Sequence, residues 1–255
     1  LWIAGEGTPN PLLVVIFSLG VVLMRSAGCV INDYADRAID LHVKRTRDRP
    51  ITSGKVTERE ALILFGLLIT SAFLLVLFLN TLTIVLSIGG VLLAASYPFM
   101  KRYTQLPQAY LGIAFGWAIP MAFAAQTGEL DHRLWLIFSA VVLWAISYDT
   151  MYAMVDRDDD LKIGVKSTAI LFGQYDRLVI GLFQIAFLLT LYLTGKAFDL
   201  GIFYFAGLGA AVLMSLYHQW LIRNRERGDC LKAFLHNNWL GAAVFAGIVL
   251  DYILS

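Results

Sequence analysis

The sequence predicts an all-α fold, a polytopic helical bundle that spans a membrane. Three observations carry that expectation. Hydrophobic residues make up 58% of the 255-residue chain, and its mean hydropathy of +0.69 is far above that of a soluble domain. Uncharged apolar runs long enough to cross a bilayer, about 20 residues each, recur from end to end. The acidic residues gather at the ends of such runs instead of spreading over a surface. One membrane domain over residues 1–255 is expected.

The elements follow in order. An apolar stub, Leu1 to Ala4, precedes Gly5, Gly7, Pro9 and Pro11. It reads as the tail of a further helix, which would give an intact bundle nine spans. Residues 12–31 form the first complete span, with Arg25 its one charge. Residues 61–100 carry no charge and are too long for one crossing. Asn80-Thr81 is the natural turn, giving spans at 61–79 and 82–100. Residues 103–128 are again uncharged, with Pro107 near the start and a kink expected at Pro120. Residues 134–155 hold Asp149 inside their last two turns. Spans at 178–195, 200–222 and 237–254 complete eight.

The loops orient the bundle. Alternate loops hold Arg37, Lys44, Arg45, Arg47, Arg49, Lys55 and Arg59, then Lys101 and Arg102, then Arg157, Lys162, Lys166 and Arg177, then Arg223, Arg225, Arg227 and Lys232. Arg133 and Lys196 alone lie opposite. The positive-inside rule makes the basic side cytoplasmic.

Composition also excludes functions. A formal charge of +1 with no basic tail gives no reason to expect a nucleic-acid partner. Cys29 and Cys230 have no CxxC spacing and read as packing residues. The histidines at 42, 132, 218 and 236 lack metal-ligand spacing, and no phosphate-cradling glycine loop is present.

The chemistry concentrates in two acidic clusters. The first is Asn32-Asp33-x-x-Asp36-x-x-x-Asp40. The second runs from Asp149 to Asp156-x-x-x-Asp160. Helical spacing puts Asp36 with Asp40, and Asp156 with Asp160, on one face each. The bland alternative is a solvated loop. Against it, Asn32-Asp33 abuts an apolar span, Asp149 is embedded in one, both clusters open on the same side, and basic residues accompany each. Ionisable groups at membrane depth mark a function by default. Two facing carboxylate pairs make an oxygen-rich cage suited to Mg²⁺ carrying a diphosphate, with the flanking cations able to grip phosphate oxygens. The repeated pattern suggests two pseudo-symmetric half-sites. Tyr97 and Lys101 share a face at i,i+4 on the same side, next to Arg102, and suit phosphate or an anionic acceptor.

These elements resemble the UbiA-type intramembrane prenyltransferases. Asn32-Asp33-x-x-Asp36-x-x-x-Asp40 resembles the family's first signature, Asp156-x-x-x-Asp160 its second, and Tyr97-x-x-x-Lys101 the intervening element. Asn32–Pro50, Tyr97–Gln108, Gly116–Ala125 and Tyr148–Gly173 resemble the bacterial branch that prenylates 4-hydroxybenzoate. The family's first helix, with its basic element, has no counterpart here. The resemblance implies a bacterial inner-membrane enzyme that joins polyprenyl diphosphate to 4-hydroxybenzoate in ubiquinone biosynthesis. It further implies Mg²⁺ on Asp36, Asp40, Asp156 and Asp160, helped by Asn32 and Asp33. Arg45, Arg49 and Lys101 would steady the leaving diphosphate, Arg102 would hold the benzoate carboxylate, and Asp149 or Asp156 would serve the phenol. Homogentisate, dihydroxynaphthoate or haem are alternative acceptors. A cation-coupled transporter is the alternative from another class.

Overall fold

The computed structural model describes residues 1–41 and 46–255, with Ile39 described by its backbone alone. Among these residues eight helical segments are long and apolar enough to cross a membrane: Pro11–Ala38, Glu58–Val76, Thr81–Tyr103, Pro107–Thr127, Leu134–Ile163, Thr168–Ala197, Ile202–Asn224 and Arg227–Leu254. The helices themselves are α1 (Pro11–Asp40), α2 (Glu58–Val76), α3 (Thr81–Ser96), α4 (Met100–Tyr103), α5 (Pro107–Gly116), α6 (Ala118–Thr127), α7 (Leu134–Ile163), α8 (Thr168–Phe172), α9 (Asp176–Ala197), α10 (Ile202–Leu221) and α11 (Arg227–Leu254). Large apolar side chains such as Leu19, Leu67, Ile202 and Leu213 stay exposed on the bundle's outside. In water such a surface would be unfavourable; against lipid it is the ordinary outer face. The chain is a multi-pass membrane protein.

Local sequence explains where helices start and stop. Thr57 and Glu60 form a reciprocal capping box at the head of α2, which satisfies backbone donors that the first turn leaves open. Asn80 caps α3 through the Thr83 N–H at 2.9 Å and donates its amide to the Ala124 carbonyl at 2.5 Å, tying α3 to α6. The expected kink occurs as the break between α5 and α6 at Trp117. Pro120 has no N–H for the Gly116 carbonyl, so the ladder parts there. Gly164, at φ +72, ends α7 in the left-handed region, which glycine adopts without strain.

Four expectations are corrected. Apolarity measures membrane thickness and not helix length, so α1 continues through Asp40 and α7 through Ile163, well past their apolar runs. Helix α11 begins at Arg227, ahead of the apolar run at 237, and Arg227 pairs with Asp158 at 3.2 Å and Asp159 at 3.3 Å. The third span continues to Tyr103 instead of ending at residue 100, and the fourth opens at Pro107 instead of residue 103. The stub forms turns, with the Gly5 N–H on the Leu1 carbonyl at 2.8 Å, and Trp2 packs edge-on against Phe245.

Helix α7 is the central element and packs against α5, α9 and α11. One stripe of it, Met151, Met154 and Val155, enters an apolar cluster with Ile180, Leu221 and Ile222. That packing turns the stripe carrying Asp149, Asp156 and Asp160 the other way. Close backbone approaches set the α10–α11 pair: a Cβ on Gly207 would lie 2.7 Å from the Ala243 carbonyl oxygen. Small residues let membrane helices meet in this way. At the end away from the acidic motifs, the Asp251 carboxylate accepts the N–H groups of Gly201 (2.5 Å), Phe203 (3.1 Å) and Tyr204 (3.3 Å) and so caps α10.

A buried charge cluster braces the other end. Asp176, fully buried, accepts from Arg157 and from Arg225, the latter at 2.8 Å, and from the Arg177 N–H at 2.6 Å. The hydrogen bond from Arg225 to Asp176 raises the Arg225 guanidinium above its ordinary value. Arg157 also donates to the Ala169 carbonyl at 2.8 Å. One carboxylate therefore ties the last third of α7 to α8, α9 and the α10–α11 turn.

Candidate active site

A cavity of about 150 Å³ lies at the basic-loop end of the bundle. Helix α1 lines it with Asn32, Asp36 and Asp40; α7 lines it with Asp149, Tyr152, Asp156 and Asp160. Between them stand Arg49 and Thr46, the Tyr97–Lys101 segment, Gln108 at the head of α5, and Lys166-Ser167 before α8. The two acidic motifs, far apart in sequence, thus face one space. Each sits in the closing turns of a 30-residue helix. Helix C-termini are electronegative, so carboxylates there reinforce a negative field that favours a cation.

Side-chain cations already answer part of that field. Lys101 pairs with Asp36. Arg49 reaches both Asp33 at 2.9 Å and Asp40 at 3.0 Å. Asp36 and Asp40 are buried, and these ion pairs give their charge the partners that burial demands. The second carboxylate oxygen of Asp36, Oδ1, is buried with no hydrogen-bond partner. Among the described residues no three His, Cys, Asp or Glu side chains already stand as a metal-holding group. The donor set still fits a hard divalent ion: every donor is oxygen, two helix C-termini point at it, and one buried carboxylate oxygen is open to a further ligand.

The cavity brings together most of the residues expected from sequence: Asn32, Asp36, Asp40, Arg49, Tyr97, Lys101, Asp149, Asp156 and Asp160. Asp33 stands behind them on Arg49. Arg45 lies outside the described residues. Arg102 does not line the cavity. It is exposed, donates to the Ala35 carbonyl at 2.5 Å, and lies near the Phe99 ring. Its contact pins the Tyr97–Lys101 segment against α1 beside Asp36.

Sequence reasoning missed Gln108, Thr46, Lys166 and Ser167, which carry no periodic signal; only their nearness to the motifs could have pointed to them. It also treated Arg25 as a topological marker. Arg25 stands eleven residues before Asp36, and Asp149 seven before Asp156, so along their helices they lie about 16 Å and about 10 Å deeper than the acidic pairs. The Arg25 charge acts on both Asp149 and Tyr148.

A membrane bundle with two helix-borne acidic motifs closing on one cation-flanked chamber is the architecture of an intramembrane enzyme for a charged head group on a greasy tail. The chain belongs to the UbiA prenyltransferase family, whose profile matches residues 1–241. It is 62% identical over 253 residues to the 4-hydroxybenzoate octaprenyltransferase of Methylococcus capsulatus, covering 99% of this chain and 87% of that one. Among solved structures it is similar to an apo UbiA homolog from Aeropyrum pernix K1, with a TM-score of 0.87 and 26% identity, covering 98% of this chain and 95% of that one. A UbiA homolog from Archaeoglobus fulgidus bound to GPP and Mg²⁺ shares the fold, with a TM-score of 0.68 and 15% identity over 97% of this chain and 95% of that one.

Proposed function

We propose that the chain transfers a polyprenyl group from polyprenyl diphosphate to the ring carbon ortho to the hydroxyl of 4-hydroxybenzoate, in one domain spanning residues 1–255. The product is 3-polyprenyl-4-hydroxybenzoate, an intermediate for ubiquinone biosynthesis. The observation that carries this reading is the convergence of the two acidic pairs and their own cations on one chamber. The acceptor follows from the strong likeness to an octaprenyltransferase of that substrate. The site faces the cytoplasm of a bacterial inner membrane, by the basic-loop asymmetry.

Asp36, Asp40, Asp156 and Asp160, supported by Asn32 and Asp33, would hold Mg²⁺, which when bound draws off charge from the leaving diphosphate. Lys101 and Arg49 can turn from their carboxylates to the phosphate oxygens and stabilise the same charge. Arg45 is proposed for the same task on sequence grounds alone. As the bond from the allylic carbon to the diphosphate oxygen breaks, the chamber walls keep water from capturing the allylic cation. The electron-rich ring carbon then forms the new carbon–carbon bond. The displaced ring proton passes to Asp149, deeper in the cavity. Tyr97 lines the chamber beside Lys101.

The acceptor's carboxylate calls for a planar cation. Arg25 meets that need better than Arg102, because its charge acts on Asp149 from α1 while the Arg102 guanidinium is engaged by the Ala35 carbonyl. Arg25→Ala is expected to raise KM for 4-hydroxybenzoate roughly tenfold or more, the size of one lost charge-assisted hydrogen bond, with KM for the prenyl diphosphate unchanged. Unchanged acceptor kinetics would remove Arg25 from the pocket.

The reading as a whole is tested in membranes carrying the protein. Labelled polyprenyl diphosphate should become attached to 4-hydroxybenzoate only when Mg²⁺ is present. Homogentisate and dihydroxynaphthoate, offered in parallel, should give no product. Labelling of either in preference to 4-hydroxybenzoate overturns the acceptor assignment.

A further inference from the structure

Gln108 is a neutral, buried side chain in the wall of the acidic chamber, and its amide has only one consistent orientation. The backbone N–H of Thr168 lies 3.1 Å from its Oε1. A backbone N–H can only donate, so the carbonyl end of the amide must face Thr168. The NH₂ end is then turned into the chamber, on whose wall Asp149 also stands.

The backing is itself fixed. The Thr150 hydroxyl donates to the Ile146 carbonyl at 2.6 Å, so in its 2.7 Å contact with Thr168 it must accept. Thr168 is thereby pinned to α7 one residue from Asp149. Ser167 caps α8 through the Ile170 N–H at 3.3 Å, and Pro107 fixes the backbone just before Gln108. Helices α5, α7 and α8 are joined through this relay without using any of the four carboxylates assigned to the metal.

We propose that Gln108 is a positioning residue of the acceptor step: held by the Thr168 N–H, it presents its NH₂ to Asp149 and fixes that carboxylate toward the ring to be prenylated. The inference rests on the acceptor role proposed above for Asp149. Among the described residues, Arg25 from α1, Tyr97 from the turn after α3 and Tyr148 from α7 also interact electrostatically with Asp149. Of these only Arg25 is a cation. A neutral donor in Gln108 orients Asp149 while leaving the Arg25 charge for the acceptor's carboxylate.

Gln108→Glu separates this role from a merely structural one. A glutamate can still accept the Thr168 N–H, which keeps the tie between α5 and α8, but as a carboxylate it offers Asp149 no hydrogen. Gln108→Leu loses both. In membranes carrying the full chain, each substitution is expected to lower kcat/KM for 4-hydroxybenzoate roughly tenfold to a hundredfold, within the range that a well-placed proton acceptor contributes. KM for the prenyl diphosphate should not change. Combined with Asp149→Asn, Gln108→Glu should add no further loss, because the two act as one unit.

An acceptor step of normal rate in Gln108→Glu, beside an inactive Asp149→Asn, overturns the inference and leaves the acceptor reading standing. Losses that add in the double variant overturn it in the same way. Normal activity in Asp149→Asn overturns both, and does so separately from the labelling test of the acceptor itself.

Discussion

Alanine at Asp36 or at Asp156 is expected to abolish prenyl transfer, with a loss of roughly a thousandfold or more in kcat, the scale at which preorganised charge stabilisation acts. The two positions lie on different helices and line the same cavity. Either loss would open the proposed cage on one side. Asp36→Ala also strands Lys101, its ion-pair partner, so Asp36→Asn is the control that keeps the shape and removes the charge. Release of diphosphate should fall together with product, because the carboxylates act on the leaving group and not on the acceptor. Mg²⁺ titration of any residual activity should be shifted to higher concentrations of the ion, since a ligand has been removed. Full turnover in either alanine variant sinks the cage assignment.

The largest effect on stability is expected away from the cavity, at Asp176. Replacing it with asparagine leaves Arg157 and Arg225, both partly exposed, facing a neutral group at a fully buried position. Removing one partner of a buried ionic cluster typically destabilises by about 3 kcal/mol or more. Thermal unfolding in detergent should show a lowered midpoint for Asp176→Asn. Because Arg157 and Asp176 belong to one network, the double variant with Arg157→Ala should be less destabilised than the two single losses combined. Independent, additive losses would show that the cluster does not act as a unit. Arg157 adjoins Asp156, so disordering this end of α7 should also blunt activity before the protein unfolds.

Much of the fold was legible in the sequence because bilayer thickness forces each crossing to declare itself as an uncharged run. Asn80 marked its turn and Pro120 its break for equally local reasons, a cap and a missing donor. Helix lengths were not legible, since Asp36 and Asp40 are as helical as the apolar residues before them, and hydropathy reports only what touches lipid. The acidic motifs announced themselves by i,i+4 spacing next to apolar spans. Gln108 did not: its meaning comes from Thr168, sixty residues on, whose N–H decides which way the amide points. The surroundings of Arg102 were hidden for the complementary reason. Its charge and position beside Tyr97 and Lys101 suited an anion, but nothing local discloses that the Ala35 carbonyl occupies it. The transporter alternative fares worse in three dimensions, because the carboxylates close on one chamber at one end of the bundle instead of marking a path through it.

The pairing of Lys101 with Asp36 and of Arg49 with Asp33 and Asp40 bears on turnover. A pocket that rests with its charges mutually satisfied takes up a head group by exchange: basic side chains pass from carboxylate to phosphate, and the carboxylates are freed for a counter-ion. Departure of the spent head group reverses the trade, since each base has a home to return to. Such a pocket resists holding its by-product tightly.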